Sequence, residues 1–108
     1  MSAHNNHEID AHTAHEQVER GEAVLVDVRE HDEHARERID GAQLNPLSRF
    51  DPGAIQRERQ QKVILYCRSG KRSLDALRAL REHDEQVDAK SLAGGIIDWK
   101  KWQTKKSI

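Results

Sequence analysis

The stretch that decides the fold reads "VILYCRSGKRSLDAL", residues 63–77. Its first four residues favour a strand and show no polar alternation, which predicts a strand over 63–66 that is covered on both faces. Leucines and alanines then recur at helical spacing and predict an amphipathic helix from about 73 to 83. A strand that leads through one short loop into a helix is a unit of an α/β fold.

Strand and helix patterns alternate along the rest of the chain. The aliphatic run "AVLVDV", residues 23–28, predicts a second buried strand, and "VDAKSL" predicts a last one. Thr13 and Glu16 fit a capping box for a helix over 13–20 that ends at Gly21, and "IIDWKKW" predicts a closing helix. This alternation predicts an α/β fold with a mainly parallel sheet.

The middle of the chain combines charged residues with turn-forming ones. The segment "EHDEHARER" tolerates a helix, and "DGAQLNP" carries turn signals around a very short apolar stretch. The segment "DPGAIQRERQQK" predicts a turn followed by a helix of modest amphipathicity.

The charge balance narrows the choice of partners. The 108 residues include 18 Lys and Arg against 19 Asp and Glu, so no net charge points to nucleic acid or to a lipid surface. No window approaches the roughly 18 consecutive apolar residues of a transmembrane helix. The single cysteine cannot form an internal disulfide, and the start "MSAHNNHEID" lacks the basic and apolar regions of a signal peptide. We therefore expect one reduced, cytoplasmic domain without a nucleic-acid or membrane partner.

The single cysteine, Cys67, lies between the predicted strand and the predicted helix. This position puts the thiol at the carboxyl edge of a parallel sheet, where open α/β folds form their ligand clefts. Gly70 can adopt a positive φ, which would turn loop amides inward as an anion nest, and Ser73 is a suitable N-cap for the helix. Three cations accompany the thiol: Arg68, Lys71 and Arg72. These charges and the helix start would lower the thiol pKa.

A lone cysteine is more often a small buried apolar residue than a nucleophile. Three cations and a glycine within five residues favour a nucleophile that also binds an anion. A cysteine phosphatase must wrap three phosphoryl oxygens, and its loop places an arginine six positions after the cysteine, where this chain has Ser73. The loop is therefore one residue too tight for a phosphoryl group and suits a smaller group carried on sulfur.

Four stretches of the chain resemble the rhodanese family. "CRSGKRS" resembles the family's active-site loop, in which a cysteine opens a loop of six residues, here Cys67 to Arg72. "VLVDVRE" resembles its first motif, "IDGAQLNP" a degraded form of its "GHIPGA" element, and "LAGGIIDWKKW" its C-terminal signature. The four stretches follow the family's order and together span roughly residues 23–102.

The resemblance implies a rhodanese-like domain over residues 8–103, with a disordered N-terminal end at 1–7 and a C-terminal end at 104–108. The domain would have three layers, with a mainly parallel central sheet and helices on both faces.

The resemblance also implies a sulfurtransferase that needs no cofactor. Cys67 would accept a sulfane sulfur as a persulfide and pass it to cyanide or a thiol, and the loop resembles the version that favours thiosulfate. The residues that would cradle the substrate are Arg68, Ser69, Gly70, Lys71 and Arg72. Two alternatives stay open: a persulfide carrier for a protein acceptor, and a catalytically idle module that binds a partner.

Three further residues are expected to support the loop. Asp27 and Arg29 end the strand over 23–28 on the same sheet edge as Cys67, where we expect an ion pair or a cap under the loop. Ser73 would act from the start of the helix. Gly94 and Gly95 are interpreted as a tight turn before the last helix.

Histidines and tryptophans also recur at short spacings. Six histidines form three H-x-x-H pairs: His4, His7, His12, His15, His31 and His34. Imidazoles three residues apart on a helix can share a metal, but no cysteine or clustered carboxylate completes a site, so no metal is expected. Trp99 and Trp102 lie on one helical face and are interpreted as core packing.

Overall fold

A computed structural model describes residues 6–106 of the chain. The elements in chain order are β1 Glu8–Ile9, α1 Ala11–Glu19, β2 Ala23–Asp27, α2 His31–Arg36, β3 Gln43–Leu44, two short 3-10 turns at Leu47–Arg49 and Pro52–Ala54, β4 Lys62–Tyr66, α3 Arg72–His83, β5 Ala89–Leu92 and α4 Gly95–Lys106. None of the helices in this range is both long and apolar enough to cross a membrane.

The strands form one parallel sheet in the order β1-β5-β4-β2-β3. After β2 the chain adds β3 on one side and then returns to place β4 on the other side of β2. Such a reversal opens a crevice at the carboxyl ends of the two central strands. Asp27 at the end of β2 is level with Tyr66 at the end of β4, so Cys67 emerges at that crevice.

Helices cover both faces of the sheet, which confirms the predicted three-layer α/β architecture. On one face α1 and α4 pack against side chains that include Leu25, Ile64 and Tyr66. On the other face α3 packs against side chains that include Val26, Val63 and Leu65. Because successive strand residues point to opposite faces, both central strands need apolar residues at nearly every position, as "AVLV" and "VILY" supply.

The predicted start of the first helix is wrong. The helix begins at Ala11 rather than Thr13, and its N-cap is Asp10, whose carboxylate accepts the Thr13 amide at 2.9 Å. Since β1 ends at Ile9, the chain turns directly from strand to helix, and the aspartate at that turn caps the first amides.

The helix predicted within residues 51–62 is also wrong, because only a 3-10 turn forms at Pro52–Ala54. Beyond this turn, nearby side chains form hydrogen bonds with the backbone amide and carbonyl groups. Arg57 donates to the carbonyls of Arg59 and Gln61, while the Gln61 side chain accepts the Glu58 amide. Such side-chain bonds compete with helical ones.

The sequence predicts that the domain spans residues 8–103, with an end segment on either side. The predicted disordered end lies outside the described residues, apart from Asn6 and His7. At the other end α4 continues to Lys106.

Candidate active site

Backbone and side-chain donors surround the sulfur of Cys67 within the loop between β4 and α3. The Gly70 amide donates to Sγ at 3.1 Å and the Ser73 amide at 3.4 Å, while the Ser73 hydroxyl lies 3.4 Å away. The exposed fraction of Cys67 is only 1%. A buried sulfur that faces several donors is suited to carry negative charge.

These donors control the acidity of the thiol. Burial raises the pKa of Cys67, but hydrogen bonds from the Ser73 hydroxyl and from the amides of Ser73, Gly70 and Ser69 outweigh burial, so the pKa lies below its ordinary value. The predicted direction is therefore right, and two of the predicted causes contribute: the inward-turned loop amides and the start of the helix. Amides and a hydroxyl, rather than the loop's cations, lower the thiol pKa most.

Ser73 supports the sulfur from inside the helix and does not cap it. Lys71 occupies the N-cap position of α3, and Ser73 is fully buried beneath the loop. Its hydroxyl lies 2.6 Å from that of Ser91 on β5, which is equally buried. Because each hydroxyl has one proton, Ser73 can donate to sulfur while Ser91 donates to Ser73. Ser91 was not predicted, although a serine within an apolar strand such as "KSL" is a usable signal.

The start of α4 holds the outer side of the loop. The Ile96 amide donates to the Cys67 carbonyl at 2.9 Å, and the Ile97 amide donates to the Arg68 carbonyl at 3.3 Å. Gly95 permits this contact because it has φ +59°, and a Cβ there would lie 2.4 Å from the Arg68 carbonyl oxygen. The predicted turn at Gly94 and Gly95 is therefore also a site of close backbone approach.

The three loop cations do not share one environment. Arg68 and Lys71 are exposed, and neither makes an ion pair within residues 6–106. Arg72 instead makes two parallel hydrogen bonds to Glu33 of α2, at 2.8 and 2.9 Å. The Arg72 guanidinium lowers the pKa of Glu33 to about 2. Glu33 was not predicted as part of the site.

A buried ion pair lies under the loop, as expected for Asp27 and Arg29. The guanidinium of Arg29 meets the carboxylate of Asp27 at 3.0 and 2.8 Å, and Asp27 also contacts His34 Nδ1 at 2.8 Å and the Tyr66 hydroxyl at 3.2 Å. Burial raises the pKa of Asp27, but hydrogen bonds from Arg29 and His34 bring it below its ordinary value. This network ties β2 and α2 to the strand that presents Cys67.

A cleft of about 340 Å³ opens beside the loop. Its walls carry charges of both signs over an apolar floor, and its lining residues are Arg29, Glu33, Arg36, Glu37, Arg68, Ile96, Ile97 and Lys100. Two of these residues connect the cleft to the loop: Arg68, which directly follows Cys67, and Glu33, which pairs with Arg72.

The histidine pairs have other contacts. The ring of His15 packs 4.5 Å from that of Trp102, and His12 lies edge-on to the same indole. Trp99 is 3% exposed, which confirms its interpretation as a core residue. Within residues 6–106 no group of three or more His, Cys, Asp or Glu side chains could hold a metal ion. His4 lies outside the described residues.

Comparison with known proteins identifies the family of this chain. The family model of the rhodanese-like domain matches residues 10–101. Two curated relatives are each 39% identical: the uncharacterized protein slr1261 of Synechocystis over 77 residues, and the probable adenylyltransferase/sulfurtransferase MoeZ of Mycobacterium tuberculosis over 80 residues. The matches cover 71% and 72% of this chain but only 42% and 20% of those proteins. The chain thus spans less than half the length of either relative.

Solved structures share the fold over nearly the whole chain. A rhodanese-related protein from Thermoplasma volcanium has a TM-score of 0.75 at 26% identity, covering 89% of this chain and 92% of its own. The human single-domain sulfurtransferase TSTD1 has a TM-score of 0.75 at 23% identity, covering 91% and 97%.

Proposed function

The chain belongs to the family of rhodanese-like domains, and on this premise we propose that it is a sulfurtransferase of the thiosulfate type. It moves a sulfane sulfur from thiosulfate or a related donor to cyanide or a thiol through a persulfide on Cys67. The observation that carries the proposal is the set of donors around Sγ from Gly70 and Ser73, which favours the thiolate form of Cys67.

The proposed reaction has two balanced steps. The Cys67 thiolate attacks the outer sulfur of thiosulfate, a new S–S bond forms, and sulfite leaves with the electron pair of the bond that breaks. The acceptor then attacks the outer sulfur of the persulfide, and the Cys67 thiolate leaves. No oxidant, reductant or cofactor is consumed. The loop amides stabilise the negative charge on sulfur at the start and end of the cycle.

The loop residues have separate roles in this proposal. Arg68 and Lys71 attract the anionic donor because their charges are exposed and unpaired within the described residues. Gly70 turns the loop, and the amides of Ser69, Gly70 and Ser73 hold the sulfur. Arg72, which is paired with Glu33, positions the loop rather than the donor. Asp27 and Arg29 support the strand end beneath.

A persulfide carrier for a protein acceptor is the second candidate. The observation that favours it is the match to a fifth of MoeZ, whose name pairs a sulfurtransferase with an adenylyltransferase. A carrier would load sulfur from the donor as readily as an enzyme of the thiosulfate type, but it would release the sulfur slowly to cyanide. We further propose that the protein acts in the cytoplasm, where a lone thiol stays reduced.

The cysteine count predicts the kinetic pattern of the enzyme. With no second thiol in the chain, the persulfide cannot resolve to an internal disulfide, so donor and acceptor use the same sulfur in turn. Initial rates of thiocyanate formation, measured over a grid of thiosulfate and cyanide concentrations, are expected to give parallel double-reciprocal lines. Intersecting lines would mean that both substrates bind before transfer, and Cys67→Ser, the control, should form no thiocyanate.

A further inference from the structure

The guanidinium of Arg72 is paired with the carboxylate of Glu33, so its charge is not available to bind an anionic substrate. Arg72 Nη1 lies 2.8 Å from Glu33 Oε1, and Nη2 lies 2.9 Å from Oε2. The side chains of Arg72 and Glu33 are 35% and 25% exposed, so solvent screens their interaction less than it screens a fully exposed ion pair. Two parallel, charge-assisted bonds fix the guanidinium plane on the carboxylate.

Glu33 is itself held in place by its helix. Its Oε1 accepts the Glu30 amide at 3.0 Å, and the two residues form a reciprocal capping box at the start of α2. The carboxylate therefore lies at a fixed position on the cleft wall, and Arg72 comes to it from the loop. A glutamine can make the same capping box without the charge.

The backbone of Arg72 adjoins a group that binds the reactive sulfur, and the charge of its guanidinium acts on that sulfur. Arg72 is the first residue of α3, and the amide that follows it, that of Ser73, donates to Sγ. The pKa of Arg72 is raised mainly by the hydrogen bond to Glu33 and also by the charge of the Cys67 thiolate. Whatever neutralises Arg72 therefore changes the electrostatic potential at Sγ.

We propose that Glu33 is a specificity-determining residue that limits the site's preference for doubly charged over singly charged sulfur donors, by neutralising Arg72. The part that concerns donors rests on the proposed function. Thiosulfate is a dianion. A thiosulfonate, such as methanethiosulfonate, is a monoanion that transfers the same outer sulfur to the thiolate and releases a sulfinate in place of sulfite. An uncompensated positive charge near Sγ would favour binding of the dianion. The Glu33 carboxylate neutralises the charge of Arg72 and so weakens this preference.

The first test measures the potential at the sulfur without any sulfur transfer. Iodoacetate and iodoacetamide alkylate the same thiolate and differ in one negative charge, and Cys67 is the chain's only cysteine. At low salt, Glu33→Gln is expected to raise the ratio of the iodoacetate rate to the iodoacetamide rate about threefold to tenfold. Asp32→Asn is the matched control, because it removes the same charge from the same helix. Its partner Arg36 lines the cleft, but the two side chains are 77% and 74% exposed, so solvent screens the freed charge and the ratio should stay unchanged.

Two more variants test whether the effect passes through Arg72. The double variant Glu33→Gln/Arg72→Gln is expected to return the ratio to the wild-type value. Arg72→Gln alone should lower it, because the Glu33 carboxylate is then unpaired beside the loop. An unchanged ratio in Glu33→Gln, an equal rise in Asp32→Asn, or a rise that persists in the double variant would overturn the proposal. Failure of both reagents to alkylate wild-type Cys67 would overturn it as well.

The second test uses the two donors on the same variants. The ratio of loading rates for thiosulfate and methanethiosulfonate should rise about threefold to tenfold in Glu33→Gln and stay constant in Asp32→Asn. A constant donor ratio together with a raised alkylation ratio would overturn the assignment of Glu33 to donor specificity. Loading by neither donor would defeat the proposed function, while the alkylation ratio would still support the effect of Glu33 at the sulfur.

Discussion

Replacing Gly95 by alanine is expected to lower kcat/KM for sulfur transfer about a hundredfold, although Gly95 does not line the cleft. Its φ of +59° is strained for any residue with a Cβ, and that Cβ would lie 2.4 Å from the Arg68 carbonyl oxygen and 2.5 Å from that of Cys67. Both contacts are to backbone, so the loop or α4 must move. A displacement of about 1 Å in a catalytic group can cost about a hundredfold in rate.

Gly21→Ala is the matched control for this prediction. Gly21 has a similar φ of +72°, but nothing lies within 4 Å of a Cβ built there. We expect this variant to lose about 1 kcal/mol of unfolding free energy and to keep wild-type kcat/KM. Thiocyanate formation and urea unfolding, measured on both variants, separate backbone strain from displacement of the loop. Activity of Gly95→Ala within twofold of the wild type would refute the role of this contact.

Asp27→Asn is expected to lower the free energy of unfolding by about 3 to 5 kcal/mol, since it leaves the guanidinium of Arg29 buried without its countercharge. Asp27 is fully buried and Arg29 is 6% exposed at the side chain. Asp32→Asn breaks an ion pair whose partners are 77% and 74% exposed, and it should cost less than about 1 kcal/mol. Denaturant unfolding of both variants at neutral pH checks the difference, and equal losses would contradict it.

The carboxylate of Asp27 also makes the free energy of unfolding depend on pH. The pKa of Asp27 in the folded protein lies below its ordinary value, because bonds from Arg29 and His34 outweigh the effect of burial. A depressed pKa means that the unfolded chain binds the proton first as pH falls. The stabilisation is therefore complete above the unfolded pKa of about 3.9 and is lost as pH falls through the folded pKa. The unfolding free energy of Asp27→Asn should vary less with pH in this acidic range.

The sequence was sufficient to predict the strand, loop and helix around Cys67. Two short aliphatic runs without polar alternation indicate strands covered on both faces, and leucines at helical spacing indicate the helix that became α3. The helix boundaries were harder to predict from the sequence. Asp10 takes the cap because β1 ends just before it, and two-residue strands such as β1 leave no periodic pattern to read.

The groups that act on the sulfur could be predicted only in part. Charges next to Cys67 in sequence suggested a cationic cradle, but Glu33 lies 39 residues from Arg72, and no local pattern reports that pairing. The same holds for Ser91 on β5, which contacts Ser73 on α3 although 18 residues separate them in the sequence. Local sequence predicts which residues share a loop, whereas parallel topology decides which distant residues meet them.

The most direct test of the account is the intact mass of the protein after incubation with thiosulfate and again after cyanide. Wild-type protein should gain the mass of one sulfur atom on Cys67 and lose it when cyanide is added, because the persulfide is an intermediate and not a dead end. Cys67→Ser, which differs by one buried atom, should show no change at either stage. Sulfur addition to both proteins, or addition to the wild type that cyanide does not remove, would contradict transfer through the Cys67 persulfide.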